Sequence, residues 1–216
     1  MSFYQVFDFL RDLQDNNRKE WMNEHRDRYE NAKAFIIKWA DALTDTLTEV
    51  DDAFEKPDLR NAISRINNNL LYHPNKPTYK DHFGVELLLS SGPSGFYVHI
   101  GLKDSFIGGG IHNPSSDTLK KIRAAIDHNG KALKAIVEEK KFQAMFGGLS
   151  QEKKLKTSPK EYDTSHKHIE FLRLKSFTAG VSTTQKEIAS DDFQKRVVEV
   201  YKQLVPFGKF LNEALA

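Results

Sequence analysis

Apolar positions along this chain change their period twice, and the changes divide it into three parts. Near the start, Phe3, Val6, Phe7, Leu10 and Leu13 recur every three or four residues, the spacing of one helix face. Asp15-Asn16-Asn17 ends that helix. Asn17 and Glu20 then have the form of a capping box. They predict one long helix with Trp21, His25, Arg28, Ala32, Phe35, Ile36, Trp39, Leu43, Leu47 and Val50 along its stripe. No glycine or proline interrupts that pattern before Pro57.

Between about Leu59 and Leu102 the period shortens. Phe96, Val98, Ile100 and Leu102 alternate with Tyr97, His99 and Gly101, the pattern of a strand with one apolar face. Val85 to Leu89 forms an earlier strand, and Gly92-Pro93-Ser94-Gly95 supplies turn chemistry between the two, so they read as an antiparallel hairpin. Asn61 to Asn67 is a weaker strand that would put Ile63, Arg65 and Asn67 on a shared face. Gly108-Gly109-Gly110 closes the region as a tight turn leading towards a helix start.

Helical spacing then returns. Ser115 or Ser116 caps a helix with Leu119, Ile122 and Ile126 on its stripe, and Asn129-Gly130 is its expected stop. A further helix runs from Ala132, with Phe142, Met145 and Phe146 extending the pattern to Gly147-Gly148. Ser150 to Asp163 is lysine-rich and turn-prone, and His166 to Leu174 has the spacing of a helix. Ser190 is placed to cap the last one, with Phe193, Val197, Val200, Tyr201 and Leu204 facing inward and Pro206 interrupting or kinking it. No repeat, low-complexity tract or long linker divides the chain. The expectation is one α+β domain spanning 1–216: a helical part (2–54), an antiparallel sheet region (60–112) and a second helical part (115–215).

Composition narrows the class. In 216 residues, 39% hydrophobic content with 15 phenylalanines is enough for a substantial core. Charged residues make up 29% with a formal net charge of +2, an ordinary surface, so a nucleic-acid partner is not expected. The absence of cysteine excludes disulfides, thiolate zinc sites and a cysteine nucleophile, and it fits the reducing cytoplasm. No apolar run approaches the ~20 residues of a spanning helix, so no membrane partner is expected. Neither phosphate-loop nor dinucleotide glycine pattern is present, nor a serine-hydrolase elbow or zinc-protease motif, and no cofactor is implied. Oligomeric state is not written in the pattern.

The richest local chemistry is Asn75-Lys76-Pro77-Thr78-Tyr79-Lys80-Asp81-His82, directly before the first strand. Arg65, Tyr97 and His99 fall on the polar faces of the neighbouring strands. If the apolar faces pack on helices, Arg65, Lys76, Tyr79, Lys80 and Tyr97 converge on the other side, where cations attract a phosphate or carboxylate. Backbone N–H groups at Gly109 and Gly110 could add to such a site, and Arg173 and Lys175 are further cationic candidates. His82 and His99 are the candidate proton carriers, because an imidazole titrates near working pH. The competing account of the same residues is a solvated sheet face. His166-x-His168 would suit a metal on a strand, but on a helix the two diverge, so no metal site is assigned. A function from another class would use Lys140, Lys141, Lys153, Lys154 and Lys156 as a basic rim for nucleic acid or protein.

Several phrases also occur together in a specific order. They are Asn16-Asn17-Arg18-Lys19-Glu20-Trp21 with His25-Arg26 and Tyr29; Arg65-Ile66 leading to Lys76, Tyr79-Lys80 and His82-Phe83-Gly84; Gly95-Phe96-Tyr97-Val98-His99; Gly108-Gly109-Gly110 with Pro114 and Arg123; and Leu155-Lys156 through Tyr162-Asp163, His166 and Leu172-Arg173 to Lys175-Ser176-Phe177. In order and spacing the chain resembles the bacterial and fungal family known as domain of unknown function 2461, over nearly its whole length. The resemblance implies a single α+β domain and assigns no activity, cofactor or catalytic residue. The chain departs from that family's pattern at Asn68, Asn69, Leu71, His73, Pro74 and Asn75, where a more charged run is usual, and at Glu161 and Ser165, where Gly and Asp are expected. The departures imply an altered ligand site.

Overall fold

The computed structural model describes residues 1–216. In chain order the elements are α1 (Phe3–Asp15), α2 (Lys19–Glu24), α3 (Arg26–Val50), α4 (Leu59–Ala62), β1 (His82–Leu88), β2 (Gly95–Gly101), β3 (Phe106–Ile111), α5 (Ser116–Val137), α6 (Lys140–Phe146), α7 (Ile169–Leu172), β4 (Phe177–Ser182), α8 (Gln185–Ile188) and α9 (Phe193–Glu213). The strands form one antiparallel sheet in the order β1-β2-β3-β4. This is the α+β architecture the periodicities predict.

One face of the sheet is covered by helices and the other is open. Phe83, Val85 and Leu87 of β1, Phe96, Val98 and Ile100 of β2, and Phe177 and Ala179 of β4 point inward and are buried. Tyr201 of α9 meets Phe96 edge-on at 5.2 Å, and Tyr29 of α3 stacks on Phe83 at 6.4 Å. A single contiguous cluster joins 47 buried apolar residues, so there is one core rather than two. A buried polar knot ties it at one end. Ser90 Oγ donates to Asp51 Oδ2 (2.6 Å), the Tyr201 hydroxyl donates to the same oxygen (2.8 Å), and Tyr201 also accepts the Ser90 N–H (3.0 Å).

Several elements differ from the sequence expectation. Asn17 does not cap the second helix, for its amide is engaged elsewhere, and the helix starts from Arg18 with no side-chain cap. The long helix is broken at His25, whose ring stacks on Trp21 at 4.2 Å and whose Nδ1 lies 2.9 Å from the Trp21 carbonyl oxygen. Asn61 to Asn67 makes only isolated bridges, Ile63 to Val85 and Asn67 to Tyr79. Gly108-Gly109-Gly110 is not a turn but the body of β3, and β4 is a strand that the pattern did not announce.

The helical boundaries shift in the same way. The expected stop at Asn129-Gly130 falls on a break inside α5, where Asn129 has non-helical φ −134° and ψ 41°, and Gly130 leaves room for the His168 ring. Only Ile169–Leu172 of the predicted 166–174 helix forms. Ser190 closes α8 by donating to the Glu187 carbonyl (2.7 Å) and does not cap α9, which runs through Pro206 to Glu213.

Candidate functional site

Strand alternation places His82, Glu86 and Leu88 of β1, Tyr97 and His99 of β2, and Phe106 of β3 on the open side. There, Glu86 is the cross-strand partner of Tyr97, and His99 of Phe106. A cleft of about 1250 Å³ lies over this face. Gly95, Gly108, Gly110 and Gly180 leave its floor nearly bare, Tyr97 and Phe106 stand in it, and Asp58, Glu86, Asp104 and Glu152 surround it. No lysine or arginine lines it.

The candidate cations lie outside this cleft and are linked to it through Glu86, which acts on Lys80. Lys80 is half-buried, and the charges that act on it are Glu86, Arg65 and Lys76. Burial lowers the Lys80 pKa; Arg65 and Lys76 push the same way, and Glu86 alone opposes them. None of the three cations has an ion-pair partner, whereas Arg28, Lys56, Lys154, Arg173 and Arg196 all do. Asn17 positions the backbone that carries Lys80: its Nδ2 donates to the Tyr79 carbonyl (3.0 Å) and its Oδ1 accepts the Tyr79 N–H (2.9 Å). Tyr79 itself is buried and serves the core.

Tyr97 leans along the sheet, so that its hydroxyl fills the space a Gly84 side chain would need. Burial, reinforced by Glu86, pushes its pKa up to about 12, while the nearby Ser64 hydroxyl pulls the other way. The His82 and His99 rings lie 4.1 Å apart, and His82 Nδ1 is 3.3 Å from Asp81 Oδ1. Burial, then repulsion by His82, takes His99 down to about 4, against the pull of Asp81 and Asp104. Burial also lowers His82, although Asp81 opposes the change. The argument from an ordinary imidazole pKa therefore does not carry over, since burial disfavours the charged form of both rings.

Thus His82, His99 and Tyr97 are neighbours on the open face, and Lys80, on which Arg65 and Lys76 act, exerts its charge on both histidines. Arg173 and Lys175 do not join them. Arg173 clamps a loop, donating from Nε to the Leu155 carbonyl (2.8 Å) and from Nη2 to that of Lys156 (2.6 Å). Lys175 lines a second depression with Asn113, Lys153 and Lys154. Within the lysine-rich run, Lys154 is paired with Glu170 (2.5 Å) and Lys153 donates to Asn113 Oδ1 (2.8 Å). Gly109 lets α9 approach, since a side chain there would meet Leu204, and Gly110 has φ +121°. No three His, Asp or Glu side chains are placed to hold a metal.

The sequence pattern missed Glu86, Asp104 and Phe106. Alternation along Val85-Glu86-Leu87 could have shown Glu86. Phe106 was obscured because three glycines follow it and silence the period.

The molecule is therefore an α+β domain with a helix-backed antiparallel sheet and a cleft on its uncovered face. Residues 5–210 match the family described as conserved hypothetical protein (DUF2461), and the chain belongs to it. No curated protein and no solved structure is detectably similar. No helix is long and apolar enough to cross a membrane.

Proposed function

We propose that this protein binds a small ligand on the open face of its sheet, and that Arg65, Lys76 and Lys80 hold an anionic group of that ligand. The supporting observation is the surplus of positive charge around Lys80. Arg65 and Lys76 both act on Lys80, Glu86 alone opposes them there, and none of the three cations is ion-paired. Desolvating Lys80 beside two like charges is unfavourable in the free protein, and a phosphate or carboxylate would relieve it. Glycines keep the floor of the cleft clear for the remainder of the ligand. His82 and His99, whose charged forms burial disfavours, offer hydrogen bonds and proton acceptance rather than a resident acid.

Thermal denaturation in phosphate, citrate or sulfate, each against chloride at matched ionic strength, tests this reading. An anion at ten times its Kd adds about 1.4 kcal/mol, a rise of roughly 3–6 °C for a chain of this size. Lys80→Ala should abolish the rise while folding normally. No rise with any anion, or an equal rise in the variant, removes the proposal.

A further inference from the structure

The cations account for one end of the ligand. The rest of the open face has a different character, set by the register of β1, β2 and β3. Four rings lie side by side on it. His82 and His99 have centroids 4.1 Å apart, and His99 and Phe106 are 5.4 Å apart with planes only 14° from parallel. Tyr97 lies 5.6 Å from Phe106 and 6.1 Å from His99.

Phe106 is the barest of these rings, 38% exposed, while His82, Tyr97 and His99 are half-buried; on the other face Phe83, Phe96 and Phe177 are within 1% of complete burial. A row of rings with Phe106 partly bare is a stacking surface for a planar group. Glu86 and Asp104 flank it with hydrogen-bond acceptors for hydroxyl or amino groups.

We infer that the ligand is a nucleoside phosphate, with its base on the Phe106, His99 and Tyr97 rings and its phosphate at Lys80, Arg65 and Lys76. Glu86, between the two ends, accepts from a sugar hydroxyl or an exocyclic amino group. The inference rests on the anion end proposed above. A single nucleotide suits the site better than a polynucleotide, because Asp58, Asp104 and Glu152 around the same cleft would repel a continuing phosphate backbone.

Calorimetric titration of the full chain with the four common nucleoside monophosphates, ribose 5-phosphate, adenosine and a short single-stranded oligonucleotide tests it. At least one nucleotide should bind about tenfold or more tighter than ribose 5-phosphate, the contribution of one base–aromatic stack, and also tighter than adenosine, which lacks the phosphate. Phe106→Ala should remove that advantage and leave ribose 5-phosphate binding unchanged, while Phe106→Trp should keep it. Three results would overturn the inference: nucleotides no tighter than ribose 5-phosphate, Phe106→Ala binding like the parent chain, or the oligonucleotide outcompeting every mononucleotide. Lys80-dependent binding of ribose 5-phosphate without any gain from a base would overturn the stacking alone and leave the anion end standing. Failure of every phosphate to bind would remove both.

Discussion

Asn17 holds both backbone groups of Tyr79, donating to its carbonyl at 3.0 Å and accepting from its N–H at 2.9 Å. The segment between α1 and α2 thus fixes the residue immediately before Lys80. Asn17→Ala leaves two peptide groups of a buried residue without partners, at a cost of about 1–3 kcal/mol. A lower urea midpoint should be accompanied by a weaker anion-induced rise in melting temperature, because Lys80 loses its anchor. Asn17→Ala with unchanged stability would show that the amide is not the anchor.

The knot of Asp51, Ser90 and Tyr201 predicts an acid-sensitive stability. Burial alone would raise the Asp51 pKa, but hydrogen bonds from Ser90, Tyr201 and Ala53 outweigh it and the net shift is downward. A depressed carboxylate stabilises the fold fully above its unfolded value of about 3.9, and the contribution is lost as pH falls through the lower folded value. Urea midpoints measured from pH 7 down to pH 2 should fall in that window. In Tyr201→Phe the whole curve should sit about 1–3 kcal/mol lower, with a shallower acid limb.

How legible each part was depended on whether its cause was local. The α1 and α3 stripes and the β1–β2 hairpin could be read because apolar side chains set their period. β3 and β4 could not, because Gly108, Gly109, Gly110 and Gly180 contribute no side chain to an alternation and are fixed by pairing across the sheet. Asn17 was misassigned because its partner lies 62 residues away and wins over a helix cap. The grouping of Lys76, Lys80 and His82 was visible as neighbours in sequence. The binding of Arg173 to the Leu155 and Lys156 carbonyls was not, since it depends on how a loop folds back.

His99 should titrate far from an ordinary histidine. Its folded pKa is about 4, so it binds a proton more readily in the unfolded chain, near 6.5. It therefore stabilises the fold above the unfolded value, and that contribution is lost as pH falls through about 4. NMR of the imidazole carbons should show His99 neutral from pH 7 to pH 5. A midpoint near 6.5 would mean that the ring is solvated rather than half-buried among His82, Tyr97 and Phe106.

Two glycines on β2 and β3 separate stability from access to the cleft. At Gly110, φ is +121° and an added Cβ would collide with the Phe177 carbonyl, so Gly110→Ala should cost several kcal/mol or prevent folding. Its cross-strand partner Gly95 has no such constraint, for the nearest atom to an added Cβ is 3.8 Å away. Gly95→Ala should keep stability within about 0.5 kcal/mol of the parent chain while raising a methyl group from the cleft floor. A weakened affinity for the ligand in this stable variant would locate binding over the glycines. Unchanged affinity would confine the ligand to the ring and cation end of the face, away from the glycines.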